Sequence, residues 1–179
     1  MSTGSVTVAA ITLVLAAAHA VAQPSHTPQA TGALRTVHDA SRNRVWVLEQ
    51  DALYLYDAAN RTLKGRFELR GWIYADARYA CAPGLAIDGQ GAAIVSSNVV
   101  PALWRVDAEK SAVTLHEPAL DADDGRDIGF TGLVYAAEQG VFFAVSGAHG
   151  SLWRIDPSLR KAQKIRVAVP RGCAQDDGL

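Results

Sequence analysis

Short apolar stretches alternate with polar turn residues through most of the chain, and one order of stretches occurs three times. Leu103–Asp107 (LWRVD) and Leu152–Asp156 (LWRID) are nearly the same pentapeptide, and Leu53–Asp57 (LYLYD) is a degenerate third copy. The copies lie about 50 residues apart. This spacing is close to the roughly 40–50 residues of a four-stranded propeller blade and longer than most helical repeats. The pattern therefore predicts three related β-units.

Each unit contains four predicted strands. An apolar strand comes first, a turn rich in Gly, Asn and Asp follows, and a second strand of β-branched and aromatic residues precedes the pentapeptide. The pentapeptide is the third strand, and a more polar stretch is the fourth. Short hairpin turns and the lack of a helical period favour an all-β fold of three four-stranded antiparallel propeller-type blades, forming part of a β-propeller. We place the blades at about 34–70, 84–117 and 132–170, with 171–179 as the start of a further blade.

The Trp of the pentapeptide is expected to pack between neighbouring blades. Blades that stack on each other are buried on both faces, and the near-continuous apolar character of second strands such as 141–145 agrees with this arrangement. The Asp that ends each copy is expected to open the turn that follows, because Asp favours tight reversals.

The first 22 residues are predicted to be a signal peptide. Val8–Ala18 is a nearly unbroken apolar run that is too short to span a bilayer and falls within the roughly 7–15 residues of a signal-peptide core. Small residues then fit cleavage after Ala20 or Ala22, and the second site leaves a polar leader at 23–33. Since no Lys or Arg precedes the run, an uncleaved anchor or a buried helix is the alternative. We therefore expect an exported protein, periplasmic or extracellular.

Charge and cysteine content narrow the compatible partners. The chain has 17 Lys and Arg against 18 Asp and Glu, a net charge of −1, whereas a nucleic-acid partner requires a concentrated basic surface. No stretch after the signal peptide approaches the length of a membrane span.

Cys81 and Cys173 permit one disulfide in an oxidising compartment, or two separate buried thiols, and neither has zinc-site spacing.

A binding site is expected in loops at one end of the blades. The loops that link one blade to the next, and those between second and third strands, share one face of a propeller, and irregular polar loops on a rigid scaffold often carry function. This loop face would bind a small molecule or a protein. Its candidate ligand-binding residues are Asp76, Arg78, Asn98, Asp123, Asp124, Asp127 and His149.

The acidic stretch 121–127 is the densest cluster of charge in these loops. Several carboxylates on a flexible loop suit a hard divalent cation such as calcium, but Gly125 stands where a third ligand of an EF-hand-type loop belongs. A solvated acidic loop is therefore favoured over a calcium site. His149 has no Ser, Cys or carboxylate beside it in sequence, which favours a loop histidine over a catalytic base.

The stretch Gly84–Gly91 (GLAIDGQG) followed by Leu103–Asp107 resembles the repeat cadence of six-bladed propellers of the SMP-30/gluconolactonase, streptogramin-lyase and NHL-repeat type. The lactonases in this group bind a divalent metal on the propeller axis, in part through an Asp before Gly-Leu or Gly-Met. The resemblance implies that Asp177, in Asp-Gly-Leu, is a metal ligand. Pro83 and Thr131 stand at the corresponding positions before the second and third units, where the family pattern has an amide.

Three functions follow as hypotheses. The first is an exported propeller module that binds a small molecule or protein through its loop face. The second is an SMP-30-like metal-dependent lactone hydrolase, truncated or completed by a second chain, and the third is an inactive fragment of a longer propeller. Because propellers usually have about four to eight blades, three units indicate part of a longer propeller, a homodimer that completes a six-bladed ring, or an open β-structure.

Overall fold

The computed structural model of the chain describes residues 32–75, 81–126 and 128–167. In these ranges the regular structure is thirteen strands and one short 3-10 turn, Ala40–Arg42. The strands are β1 (Arg35–Asp39), β2 (Arg44–Leu48), β3 (Leu53–Asp57), β4 (Leu63–Phe67), β5 (Leu85–Ile87), β6 (Ala93–Ser96), β7 (Leu103–Asp107), β8 (Ala112–His116), β9 (Ala119–Leu120), β10 (Gly132–Ala136), β11 (Val141–Ser146), β12 (Ser151–Ile155) and β13 (Lys161–Ile165).

The strands form three sheets, which we name blades 1 to 3. Blade 1 has the order β1-β2-β3-β4 and blade 2 the order β5-β6-β7-β8, with every neighbouring pair antiparallel. β10 to β13 repeat this arrangement in blade 3. The predicted fold class, three four-stranded propeller-type blades in an all-β chain, is confirmed.

Blade 3 has a fifth strand that the sequence pattern did not predict. β9 leaves the end of blade 2 and pairs in parallel with β13, through Lys161 opposite Ala119 and Ala162 opposite Leu120. Asp121 extends the contact, since its carboxylate accepts a hydrogen bond from the backbone N–H of Lys164 at 2.8 Å. The connection between blades 2 and 3 therefore covers the outer edge of blade 3, and such cover removes a row of unpaired backbone groups.

The Asp at the end of each pentapeptide opens a turn, as predicted. The carboxylate of Asp57 accepts backbone hydrogen bonds from Ala59 and Asn60, and that of Asp156 accepts them from Arg160 and Lys161. A short side chain that satisfies the next N–H groups replaces the ladder bonds lost where the strand ends.

One hydrophobic core lies between blades 1 and 2. Its largest members are Trp46 and Phe67 from blade 1 and Trp104 from blade 2. The rings of Trp46 and Phe67 lie 5.8 Å apart, and the indole of Trp104 is 2% exposed and donates a hydrogen bond to the carbonyl of Arg70. The pentapeptide Trp of blade 2 thus packs against the preceding blade, as expected.

A second core lies between blades 2 and 3. Ile94 and Leu103 of blade 2 face Phe142 and Trp153 of blade 3. Two residues of the connecting segment, Ile128 and Phe130, also belong to this core and are fully buried, and the Phe130 ring meets the Trp153 ring edge-on at 6.3 Å. The segment predicted as an irregular polar loop therefore contributes to the core of the molecule.

Among the residues that the structure describes, no helix is long and apolar enough to cross a membrane.

The buried connection generates a stability prediction at Gly129. A Cβ at this position would lie 2.0 Å from the backbone C and O atoms of Asn98, whereas a Cβ at Gly125 meets nothing within 4 Å. We expect Gly129→Ala to lower the free energy of unfolding by at least about 3 kcal/mol, because backbone must move to relieve the overlap. Gly125→Ala is the matched control. Urea unfolding of both variants measures the effect, and equal midpoints would contradict the packing described here.

Candidate functional site

The first strands of the three blades form the inner edge of the molecule. β1 lies beside β5, and β5 beside β10. They line an open groove of about 780 Å³, which we call the axial groove. Its apolar walls include Val37, Ile87 and Leu133, and its polar members include His38 and the hydroxyl-bearing Tyr135. The packing of blade on blade places these strands side by side.

A charged network lies at the end of the axial groove where the first strands turn back. Asp39 is 7% exposed, and its carboxylate accepts a hydrogen bond from the Ser41 hydroxyl at 2.7 Å and lies 3.4 Å from Arg42 Nη1. Arg42 Nη2 also donates to the carbonyl of Gly89 in blade 2, at 3.0 Å. Arg42 therefore compensates the charge of Asp39, as a buried carboxylate requires. Arg42 also links blade 1 to blade 2.

Gly91 makes room for this arginine. A Cβ on Gly91 would lie 2.4 Å from Arg42 Nε, and the backbone of Gly91 has a φ of +87°, which favours glycine. The turn of blade 2 is thus shaped to receive a side chain of blade 1.

Blade 2 has a corresponding buried carboxylate in Asp88, which is 8% exposed. Its Oδ1 accepts backbone hydrogen bonds from Gln90 and Ala92, both at 2.9 Å, and its Oδ2 lies 2.6 Å from Arg105 Nη1. Both inner carboxylates are therefore neutralised by arginines, which leaves the walls of the groove without an unpaired buried charge.

Arg35 ties the three blades together at the other end of the first strands. Its Nε donates to the carbonyl of Pro83 at 3.0 Å, and its Nη2 donates to the carbonyl of Thr131 at 3.3 Å. Pro83 and Thr131 precede the first strands of blades 2 and 3. The partners of this guanidinium are carbonyl oxygens, and no carboxylate among the residues that the structure describes pairs with it. Arg35 therefore brings positive charge to this end of the inner strands.

Asn98, a predicted ligand-binding residue, is used inside the fold. Its amide oxygen accepts the backbone N–H of Ala75 at 2.8 Å, and its amide nitrogen donates to the carbonyls of Ala75 and Cys81. The side chain is 7% exposed. Asn98 thus holds the connection between blades 1 and 2 in place, with both ends of its amide occupied.

The structure brings Asp123, His149 and Lys164 together beside blade 3. Lys164 Nζ donates to the carboxylate of Asp123, and this bond, helped by the charges of Lys164, Arg126 and His149, holds the pKa of Asp123 below its usual range. Asp124 is exposed next to them. The Asp123 carboxylate is consequently paired with cations that the protein supplies.

The remaining predicted site residues are Asp76, Arg78, Asp127 and Asp177, and they lie outside the described residues, as does the predicted signal peptide. Cys81 is disulfide-bonded. Cys173, its predicted partner, also lies outside the described ranges, so that pairing stays a prediction.

The divalent-metal hypothesis stays a prediction, because Asp177, its proposed ligand, lies outside the described residues. No group of three His, Cys, Asp or Glu side chains there could hold a metal ion. Thr131, at one position where the lactonase pattern has an amide, uses its hydroxyl to bond the Val145 carbonyl and the Gly147 N–H at 3.1 Å each. The buried Pro83, at the other, has no side-chain donor atom.

The sequence patterns missed the residues that line the axial groove. His38, Asp39 and Arg42 lie in or just after a first strand, where an apolar stretch predicts only packing. A His-Asp pair at the end of that strand and an Arg in the following turn were the available signals. Their convergence with blade 2 depends on contacts 47 or more residues apart in sequence, such as that between Arg42 and Gly89.

His116 is a half-buried titratable group at the end of β8 in blade 2. Its Nε2 atom is buried and has no hydrogen-bond partner among the described residues. Burial lowers the pKa of His116 below its usual value, and the positive charges of Arg105 and Arg160 act in the same direction against the opposing charge of Asp156. The fold therefore favours the neutral imidazole.

Comparison with known proteins supports the fold. No protein-family model matches the chain, and no curated protein matches it in sequence. A catalytically inactive virginiamycin B lyase from Staphylococcus aureus, solved with quinupristin, matches with a TM-score of 0.55 and 13% identity over 75% of this chain and 41% of that one. The selenomethionine form of that lyase matches with a TM-score of 0.52 and 14% identity over 71% of this chain and 39% of that one.

A protein of unknown function from Bacteroides thetaiotaomicron VPI-5482 matches with a TM-score of 0.53 and 16% identity, over 74% of this chain and 33% of that one. The chain thus spans 33–41% of the length of these three structures. At such identities the likeness shows a β-propeller fold and carries no activity with it.

The half-buried His116 generates a prediction for the pH dependence of stability. Its folded-state pKa lies below the unfolded value of about 6.5, so the unfolded chain binds the proton more readily. We expect the contribution of neutral His116 to the free energy of unfolding to be fully present above about pH 6.5. The free energy of unfolding should then fall as the pH drops from there toward the folded-state pKa.

His116→Gln should remove the part of the decline that His116 causes, and the control variant His38→Gln, at an exposed histidine of blade 1, should retain it. Urea unfolding at several pH values between 7.5 and 5 measures both. An unchanged slope in His116→Gln would contradict the assignment.

Proposed function

We propose that the chain is an exported β-propeller module that binds a small molecule in its axial groove. One observation carries this proposal: the three first strands meet around a single concave volume of about 780 Å³ with mostly apolar walls and a few polar groups at its end. Ligand sites in proteins are typically concave, about 300–1,000 Å³ in volume, and lined in this way.

The chemistry of the groove favours a particular class of ligand. Val37, Leu85, Ile87 and Leu133 suit an apolar or aromatic body, and the exposed His38 can exchange a hydrogen bond with a polar substituent. Both inner carboxylates, those of Asp39 and Asp88, are already paired with arginines, as described above. An apolar small molecule with one anionic or hydrogen-bonding group fits this distribution better than a cation.

The groove is a better location than the loop face predicted from the sequence. The Asn98 amide is hydrogen-bonded to the backbone of the fold, and the Asp123 carboxylate is paired with Lys164. The axial groove, in contrast, holds the exposed side chains of His38, Ser41 and Ala137 along a concave surface. Most of the residues that line it belong to the three first strands.

Export is part of the proposal and rests on the first 22 residues. We expect a periplasmic or extracellular product with Gln23 as its first residue, because Ala20-Val21-Ala22 fits the small-residue cleavage pattern. Intact-mass analysis of full-length chain expressed in a bacterial host measures this. Ala22→Arg should move or block cleavage and Ser25→Arg should not. An exported product that still begins at Met1 would contradict the prediction.

Binding in the groove is testable with anilinonaphthalene sulfonate, a dye with an aromatic body and one negative charge. We expect saturable fluorescence enhancement with the folded protein. Ala137→Glu places a carboxylate at the groove. It should weaken the binding of the dye about three- to tenfold, because the two negative charges repel each other at short range.

Ala59→Glu is the matched control, since Ala59 also lies in an exposed turn but outside the groove. Circular dichroism verifies that both variants are folded. Dye binding that does not saturate, or that weakens equally in both variants, would contradict the groove as the binding site.

A further inference from the structure

Each blade has two faces, because the side chains of successive strand residues alternate between them. In blade 1, one face carries Val45, Val47, Tyr54 and Tyr56, which are cross-strand neighbours on β2 and β3. We call this the leading face. In blade 3, the opposite face carries Val134, Phe143, Val145 and Leu152 on β10, β11 and β12. We call this the trailing face.

The positions of the leading face are core positions in the other two blades. The strand registers align Tyr54 with Trp104 and Trp153, the pentapeptide tryptophans that pack against the preceding blade. Every equivalent of the four leading-face residues is at most 2% exposed. These equivalents are Ala93, Val95, Trp104 and Val106 in blade 2 and Phe142, Ala144, Trp153 and Ile155 in blade 3.

The positions of the trailing face are core positions as well. Phe143 aligns with Trp46 of blade 1 and Ile94 of blade 2, and Leu152 aligns with Leu53 and Leu103. Trp46, Ile94, Leu53 and Leu103 are all 0% exposed and pack against the following blade. Both contacts between blades therefore join a trailing face to a leading face.

Blades 1 and 3 each retain one such face that no described blade covers. The four leading-face residues of blade 1 are half-buried, and Val134 of the trailing face is 56% exposed. The rim of the leading face is polar: the Tyr54 hydroxyl donates to Asp51 at 2.8 Å and accepts from Arg66 Nε at 3.3 Å. An apolar centre with a polar rim is the anatomy of a protein interface.

Arg154 marks the trailing face as an unfinished contact. Its equivalent in blade 2, Arg105, pairs with Asp88 of the same blade at 2.6 Å. In blade 3 the position of Asp88 is occupied by Ala136, so Arg154 lacks this carboxylate and is exposed. Arg154 Nη1 donates to Gln163 Oε1 at 3.5 Å, and the exposed guanidinium can also pair with an acidic side chain of whatever covers the face.

Pairing through strand edges is less favourable than stacking through these faces. The outer strand of blade 1, β4, carries Lys64, Gly65 and Arg66 and a register shift against β3, all of which discourage the addition of another strand. The outer strand of blade 3 is already covered by β9.

We propose that the leading face of one copy of this chain packs on the trailing face of a second copy, and that two such contacts close a six-bladed ring. The occupant of each face is then a blade with the same pattern as those that fill the equivalent positions within the chain. Head-to-tail contacts of this kind close into rings when the rotation between copies permits. Since each copy supplies three of the inner strands, the partner contributes half of the wall around the axis, which makes the axial groove incomplete in one chain.

Sedimentation equilibrium over a range of concentrations measures the mass of the wild-type protein in solution. We expect the mass of two chains. Tyr54→Arg and Phe143→Arg each place a positive charge on one of the two faces, and each alone should yield the mass of one chain because both contacts of the ring are lost. Leu115→Arg is the control: Leu115 is a hydrophobic residue on the outer strand of the middle blade, it is 48% exposed and lies on neither uncovered face, and the dimer should persist.

Mixing Tyr54→Arg with Phe143→Arg distinguishes the ring from a folding defect. The mixture retains one intact contact, between the trailing face of the first variant and the leading face of the second, so it should recover the mass of two chains that neither variant shows alone. A wild-type chain that stays monomeric, a ladder of larger masses, or a mixture without recovery would each overturn the proposal. These masses are measured without ligand, so their outcome is separate from that of the dye experiment.

Discussion

The stacking of three sheets face to face is the contact on which the rest of the molecule depends. The middle blade buries both of its faces, with Val95 and Trp104 turned toward blade 1 and Ile94 and Leu103 toward blade 3. Because strand side chains alternate between faces, a shift of one residue in any register would exchange these two sets. The two cores therefore fix the registers of all three sheets together.

This stacking also determines where the chemistry of the chain lies. It brings the first strands side by side and aligns the turns that follow them, so that Arg42 reaches Gly89 and Arg35 reaches both Pro83 and Thr131. Each of these arginines joins segments that are far apart in sequence. The axial groove is thus a product of blade packing, and its polar groups also hold the blades in register.

Polar residues that a sequence suggests as functional can be required by the fold. Asn98 resembles a loop residue poised for a ligand, yet its three hydrogen bonds hold the connection between blades 1 and 2. Ile128 and Phe130 lie in a connection between blades that was predicted as an irregular polar loop, yet both are fully buried between blades 2 and 3. A connection that crosses between two stacked sheets must fill the space it encloses and satisfy its own backbone groups.

The sequence by itself determined the repeating unit, the four strands in each blade, the turn-forming role of the pentapeptide Asp and the interblade position of its Trp. These features depend on local propensity and on alternation within about ten residues, which a repeat displays three times over. Only the tertiary structure decided the path of β9, the groove around His38 and Tyr135, and the pairing of Asp39 with Arg42 and of Asp88 with Arg105. These features depend on which blade lies beside which and at what angle. Residues of different blades are far apart in sequence, so no local pattern of residues encodes how the blades are placed.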